Sequence, residues 1–193
     1  MKRACLAILA VLLFAQPGEP TAVKKLDDSG LVSNATTIFH GDCLKVEPEW
    51  DRSGKRIYTR VTFAPREVLK GTNQATVELL LPGGRMDGKA YVLHGIPTFT
   101  RGEEAVVYAS ARHKRSGICV PVGLGQGVFR VKRSAKGRVA PRATRDTRDL
   151  LVVDMKKRSA KKGKRETRDL GTLLRDVRSE VTRQRRAKKG KRK

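Results

Sequence analysis

Fifteen lysines and arginines stand in two runs near the C-terminal end of this chain, and they are its densest chemistry. Lys156, Lys157, Arg158, Lys161, Lys162, Lys164 and Arg165 fill seven of the ten positions 156–165. Arg183, Arg185, Arg186, Lys188, Lys189, Lys191, Arg192 and Lys193 fill eight of the eleven positions 183–193. Such runs bind polyanions by releasing condensed counterions, so their affinity falls steeply with salt. No aromatic residue follows Phe129, so the runs offer no platform for base stacking. The ligands that suit them are anionic polysaccharide, lipid head groups and extracellular DNA. The competing use is a solvated, solubilising tail with no dedicated ligand.

Other sets of reactive side chains are sparser. His40-Gly41-Asp42-Cys43 puts three metal-capable groups within four residues. A structural zinc site needs four ligands, usually in paired spacings, and a strand would turn His40 and Asp42 away from Cys43. Glu103 and Glu104 read as solvated turn carboxylates. Gly123-Leu124-Gly125-Gln126-Gly127 lacks the Lys-Ser/Thr and the helix of a phosphate loop, so it reads as a glycine-rich bulge or corner. There is no G-x-S-x-G elbow, no catalytic residue stands out, and nothing calls for a cofactor or a metal. Trp50, the single tryptophan, reads as a cap on the folded domain or as an exposed contact.

The first residues read as an address. Lys2 and Arg3 precede the uncharged run Ala4–Ala15, which Gln16-Pro17-Gly18-Glu19-Pro20 ends. A basic start, a short apolar run and a breaker make a secretory signal peptide over residues 1–22, with cleavage after Ala15 or Ala22. The run is too short for a bilayer, which needs about 20 apolar residues. The expected location is therefore secreted or periplasmic. Removing the leader removes Cys5 and leaves Cys43 and Cys119 as an even pair in an oxidising compartment. A bridge between them would close a loop of about 75 residues and stabilise by roughly 4 kcal/mol. The alternative is two buried thiols that never meet.

What must position these groups is a β domain. Residues 23–35 read as an N-terminal linker. From Thr36 to Val131 short alternating runs are punctuated by Gly and Pro. Ile57, Thr59, Val61 and Phe63 form one inward face, and Val77, Leu79 and Leu81 another. Ala105–Ala109 is continuously apolar, as a strand buried on both faces would be. Ile118, Val120, Val122 and Leu124 alternate again, and Val128–Val131 closes the series. Six or seven strands in about 95 residues predict a mainly β fold, a small closed barrel or sandwich of OB-like type.

Several of these segments carry a resemblance. TRVTFAPREVLKG (59–71), LPGG (81–84), DG (87–88), GIPTFTRGEEAVVYA (95–109) and VGLGQGVFRV (122–131) resemble a group of exported bacterial β-domain proteins without an assigned activity. The layout is also distantly similar to netrin-like (tissue-inhibitor-of-metalloproteinase-like) OB barrels. Those inhibitors depend on an N-terminal cysteine and several disulfides that this chain lacks. The resemblance implies a barrel and export, and carries over no catalytic residue.

The 193 residues hold 43 basic and 19 acidic side chains, net +24. The excess is uneven: residues 23–129 hold 15 basic and 11 acidic, and residues 130–193 hold 26 and 7. That asymmetry excludes an acidic disordered chain, and the length excludes a large multidomain enzyme. Residues 132–165 read as a basic linker, in which the short apolar patch Leu150–Val153 would add a strand or dock on the barrel, and 184–193 as a disordered basic tail. Between them, Leu170, Leu173, Leu174, Val177 and Val181 share one face of a helix over 166–183, with Thr167 as N-cap and Asp169 in the first turn. That face should dock on the β domain or on a partner protein. The whole reads first as a secreted, non-enzymatic binding module with a polyanion-adhering tail. A protein-binding or inhibitor-like module that the tail only localises is the second reading, and an enzyme with an unrecognised site the third.

Overall fold

The computed structural model describes residues 21–134 and 139–190. The segment 1–22 expected to be a signal peptide lies, apart from Thr21 and Ala22, outside the described residues, as do Lys191, Arg192 and Lys193. The described residues begin with β1 (Thr21–Lys24) and α1 (Asp28–Asn34), where a linker was expected over 23–35. Asp27 caps α1, its carboxylate accepting from the Gly30 amide at 2.7 Å, and Leu31 and Val32 are the helix's buried residues.

Two long strands follow, β2 (Thr37–Trp50) and β3 (Ile57–Lys70), then β4 (Val77–Pro82). A short hairpin, β5 (Gly84–Met86) and β6 (Lys89–Tyr91), precedes an irregular loop to β7 (Glu104–Ala109). After a 3₁₀ turn at Leu124–Gly127 come β8 (Val128–Lys132), β9 (Arg142–Asp146), β10 (Leu150–Asp154), β11 (Ser159–Lys162) and β12 (Arg165–Asp169). The last described element is α2 (Leu170–Gly190).

Seven strands form one antiparallel sheet in the order β12-β9-β8-β7-β2-β3-β4. The fold is mainly β as expected, but the sheet is open rather than a closed barrel. Strands after β8 add outward to β9 and β12 instead of returning to β4, whose outer edge meets Cys119 through paired bonds with Leu80 at 3.1 Å and takes the Arg112 guanidinium on the Glu78 carbonyl at 3.0 Å. A second sheet joins β1, β10 and β11, with β1 parallel to β10. The alternation at Ile118–Leu124 makes isolated bridges and a turn, not a strand.

Each face of the large sheet carries a core. On one, Ile38, Val106, Tyr108, Phe129 and Ala143 pack under α1 and α2. On the other, Phe39, Phe63 and Phe99 stack edge to face at 5.1 Å centroid spacing, with Val61, Leu79 and Val107 around them. As expected of a strand covered on both sides, every residue of β7 is buried.

The largest departure lies after Val131. The stretch read as linker holds β9, β10 and β11, and residues 184–190, read as tail, continue α2. The helix starts at Leu170 and not at Thr167, which lies in β12. Asp169 is its cap, accepting from the Thr172 amide at 2.8 Å and the Thr172 hydroxyl at 3.0 Å. Leu170, Leu173, Leu174, Val177 and Val181 are its buried residues and dock on the sheet and α1.

Candidate polyanion-binding surface

The first basic run folds as a hairpin. Asp154 ends β10 and accepts from the amides of Lys156 and Lys157, each at 3.1 Å, closing the turn that β11 follows. Arg158 occupies the left-handed region at φ 49° in that turn. Beyond β11 the backbone is clamped by Thr147, whose hydroxyl donates to the Lys164 carbonyl at 2.9 Å and accepts from its amide at 3.0 Å. Gly163 makes this approach possible, since a Cβ there would stand 1.9 Å from the Thr147 carbonyl oxygen.

The hairpin's lysines converge. Lys157, Lys161, Lys162 and Lys164 line a cleft of about 340 Å³ between the small sheet and the large one, together with Lys25, Arg145, Asp154 and Glu166. Lys25 is held by Asp154 at 3.1 Å and Arg145 by Glu166 at 2.5 Å. The four hairpin lysines are exposed and have no acidic partner among the described residues. Arg165, from the same run, is committed to Asp146 at 2.9 Å, which also takes Arg148 at 2.8 Å. These bonds hold the Asp146 carboxyl well below the usual carboxylate range.

The second run rides on α2. Arg183 pairs with Glu180 at 2.7 Å, while Arg185, Arg186, Lys188 and Lys189 are exposed without an acidic partner among the described residues. With Arg175, Arg178 and Arg183, Arg186 lines a shallow groove along the helix. Arg178 is occupied by a two-pronged bond to Glu67 at 2.8 and 2.7 Å. Lys70, donating to the carbonyls of Val32 and Ala35, is pushed down in pKa by burial and by the neighbouring Lys188 and Arg185. So much like charge in one place is a field an anion relieves.

The remaining sets separate as the strand geometry dictates. His40 and Asp42 lie toward the helix-covered side, and Cys43 lies in the opposite core. Among the described residues no group of three metal-capable side chains assembles. Cys43 and Cys119 are free buried thiols rather than a bridge, bonded to the carbonyls of Lys45 and Ser110, and burial raises both pKa values. Glu104 is not a solvated turn carboxylate. It is 9% exposed and takes Arg133 through both oxygens at 2.7 and 2.6 Å, with His40 Nε2 at 2.7 Å. This network was invisible in the sequence, because its members lie 64 and 29 residues apart. Trp50 donates to Asp87 at 2.8 Å under the Lys89 ammonium, so it pins the β5–β6 hairpin.

No described helix is long and apolar enough to cross a membrane. Comparisons with protein-family models, curated proteins and solved structures yield no match.

Proposed function

We propose that this chain is a secreted, non-enzymatic β module that holds polyanions (anionic polysaccharide, lipid head groups or extracellular DNA) on its lysine hairpin and on the outer face of α2. The observation that carries this reading is the convergence of Lys157, Lys161, Lys162 and Lys164 on one cleft of a folded hairpin, free of acidic partners among the described residues. Cations on rigid elements lose less side-chain and chain entropy on binding than cations on a coil. Export is supported by the leader pattern of Lys2, Arg3 and Ala4–Ala15. The structure adds a preference between the two cleavage points. Thr21 and Ala22 pair with Leu150 and Leu151, so cleavage after Ala22 would remove half of β1, and cleavage after Ala15 is the reading we favour.

The test is binding to heparin-like polysaccharide and to duplex DNA across a salt series, for the parent and for the triple variant Lys161→Ser, Lys162→Ser, Lys164→Ser. Both ligands should bind at low salt with a steep log–log slope. The triple variant should flatten that slope by roughly 2–3, since each lost phosphate contact is worth about 0.9 for duplex DNA. Absence of binding at low salt, or a slope unchanged in the variant, would refute the reading.

A further inference from the structure

A second cleft lies away from the lysines, and its chemistry is the opposite. It is about 390 Å³, between the β3–β4 end of the large sheet, the β5–β6 hairpin and the loop 92–99. Its floor is hydrophobic core: Val61 and Leu81 are 0% and 3% exposed, and Phe99 belongs to the same cluster. Its rim is Tyr91, Val92 and Leu93, three consecutive large apolar side chains that stand in water. The other exposed large apolar residues, Leu44, Val139 and Met155, are isolated in the sequence. Scattered apolar residues are normal on a surface, whereas a run at the mouth of an apolar hollow marks a binding site.

Charge selects the occupant. Arg85 is the one charged residue in the lining; it is exposed on β5 and has no acidic partner among the described residues. The Thr59 hydroxyl, also in the wall, is already used by the Gly83 carbonyl at 2.7 Å. An occupant must therefore be apolar along its length and anionic at one end. A peptide strand would bring unpaired amides and carbonyls into this wall, at a cost of about 1–3 kcal/mol for each left unsatisfied. At ~30 Å³ for each water-sized group, the cleft holds about a dozen methylene-sized units.

We propose that the cleft is a site for a single-chain fatty acid, with the chain along Val61, Leu81, Ile96 and Phe99 and the carboxylate on Arg85. This site shares no residue with the lysine cleft, so the proposal goes beyond the polyanion reading and does not depend on it.

The test is calorimetric titration of the purified full chain with laurate, dodecanol and acetate below the micelle threshold. Laurate should bind saturably at one per chain, dodecanol about tenfold more weakly for want of a charged hydrogen bond, and acetate not at all. Arg85→Ala should bring laurate down to the dodecanol level and leave dodecanol unchanged. The double variant Val92→Ser, Leu93→Ser, exposed and so harmless to the core, should weaken both. Laurate binding that ignores these variants but vanishes in the Lys161/Lys162/Lys164 triple variant would place the carboxylate in the basic cleft and overturn the proposal. So would non-saturable uptake, or capture of apolar peptide with no laurate binding.

Discussion

Glu104 is a carboxylate nearly sealed from water, and its partners decide its behaviour. The Arg133 guanidinium is the larger influence and His40 adds a hydrogen bond, while burial opposes both; together they pull the pKa from 4.5 to about 2. A carboxyl depressed on folding contributes stability that is complete above the unfolded value near 4.5 and is lost as pH falls toward 2. Glu104→Gln should therefore cost about 2 kcal/mol at neutral pH, the scale of hydrogen bonds to a charged group. It should also flatten the acid limb of the stability curve, which denaturant melts between pH 2 and 6 would show. An unchanged acid limb would mean that the network contributes nothing to folding. Of this cluster the sequence carried only the alternation that separates His40 from Cys43. That Glu104 sits beside His40 follows from the β2–β7 register, where Asp42 faces Glu104 and His40 faces Val106, and pairing across more than 60 residues has no local signal.

Among the elements, the helix and the basic hairpin teach opposite lessons. The docking face of α2 was legible because five apolar residues recur at helical spacing, a signal that survives any surrounding charge. The strands β9, β11 and β12 were not, because they owe little to apolar periodicity; β10 alone carries an apolar patch, Leu150–Val153. The acids of β9 and β12 stand directly across from arginines: Glu166 faces Arg145, Asp146 faces Arg165 and Asp169 faces Arg142. Cross-strand opposite-charge pairs contribute roughly 0.2–1 kcal/mol each, and the Thr144–Thr167 hydroxyl contact at 3.0 Å adds to them. Composition counts the cations and misses this placement. The element's weak point is Gly163. Gly163→Ala should force the Thr147 clamp open, expose the β10–β11 amides to hydrogen exchange and lower the polyanion salt slope, while leaving β2, β3 and β7 protected. Full retention of β10–β11 protection would show that the clamp tolerates a side chain.

For the whole molecule, the C-terminal third is part of the fold rather than an appendage. β12 and α2 both reach back to α1: Arg168 of β12 pairs with Asp28 at 2.8 Å, and Gln184 of α2 donates to the Ser29 carbonyl at 3.0 Å. A chain stopped at Arg133 would expose Val106, Tyr108 and Phe129, which α2 and β9 otherwise help to cover. Such a chain should lose its near-ultraviolet dichroism and associate in solution, as gel filtration would reveal; a monomeric, dichroic product would refute the account. Substitution of surface lysines, rather than truncation, is thus the sound way to separate charge from structure.

The contact of α2 with α1 also sets a clock. One of the two cores cannot close until the 21-residue α2 has been delivered, because α2 is its lid and follows every strand of the sheet in sequence. Every intermediate made before α2 leaves Ile38, Val106 and Phe129 without their cover, so collapse to the native state is deferred until that helix has been made. Contacts this distant in sequence also slow the search itself, toward milliseconds or longer. A polypeptide that stays open until such a helix arrives is one that can be threaded through a narrow pore before it folds.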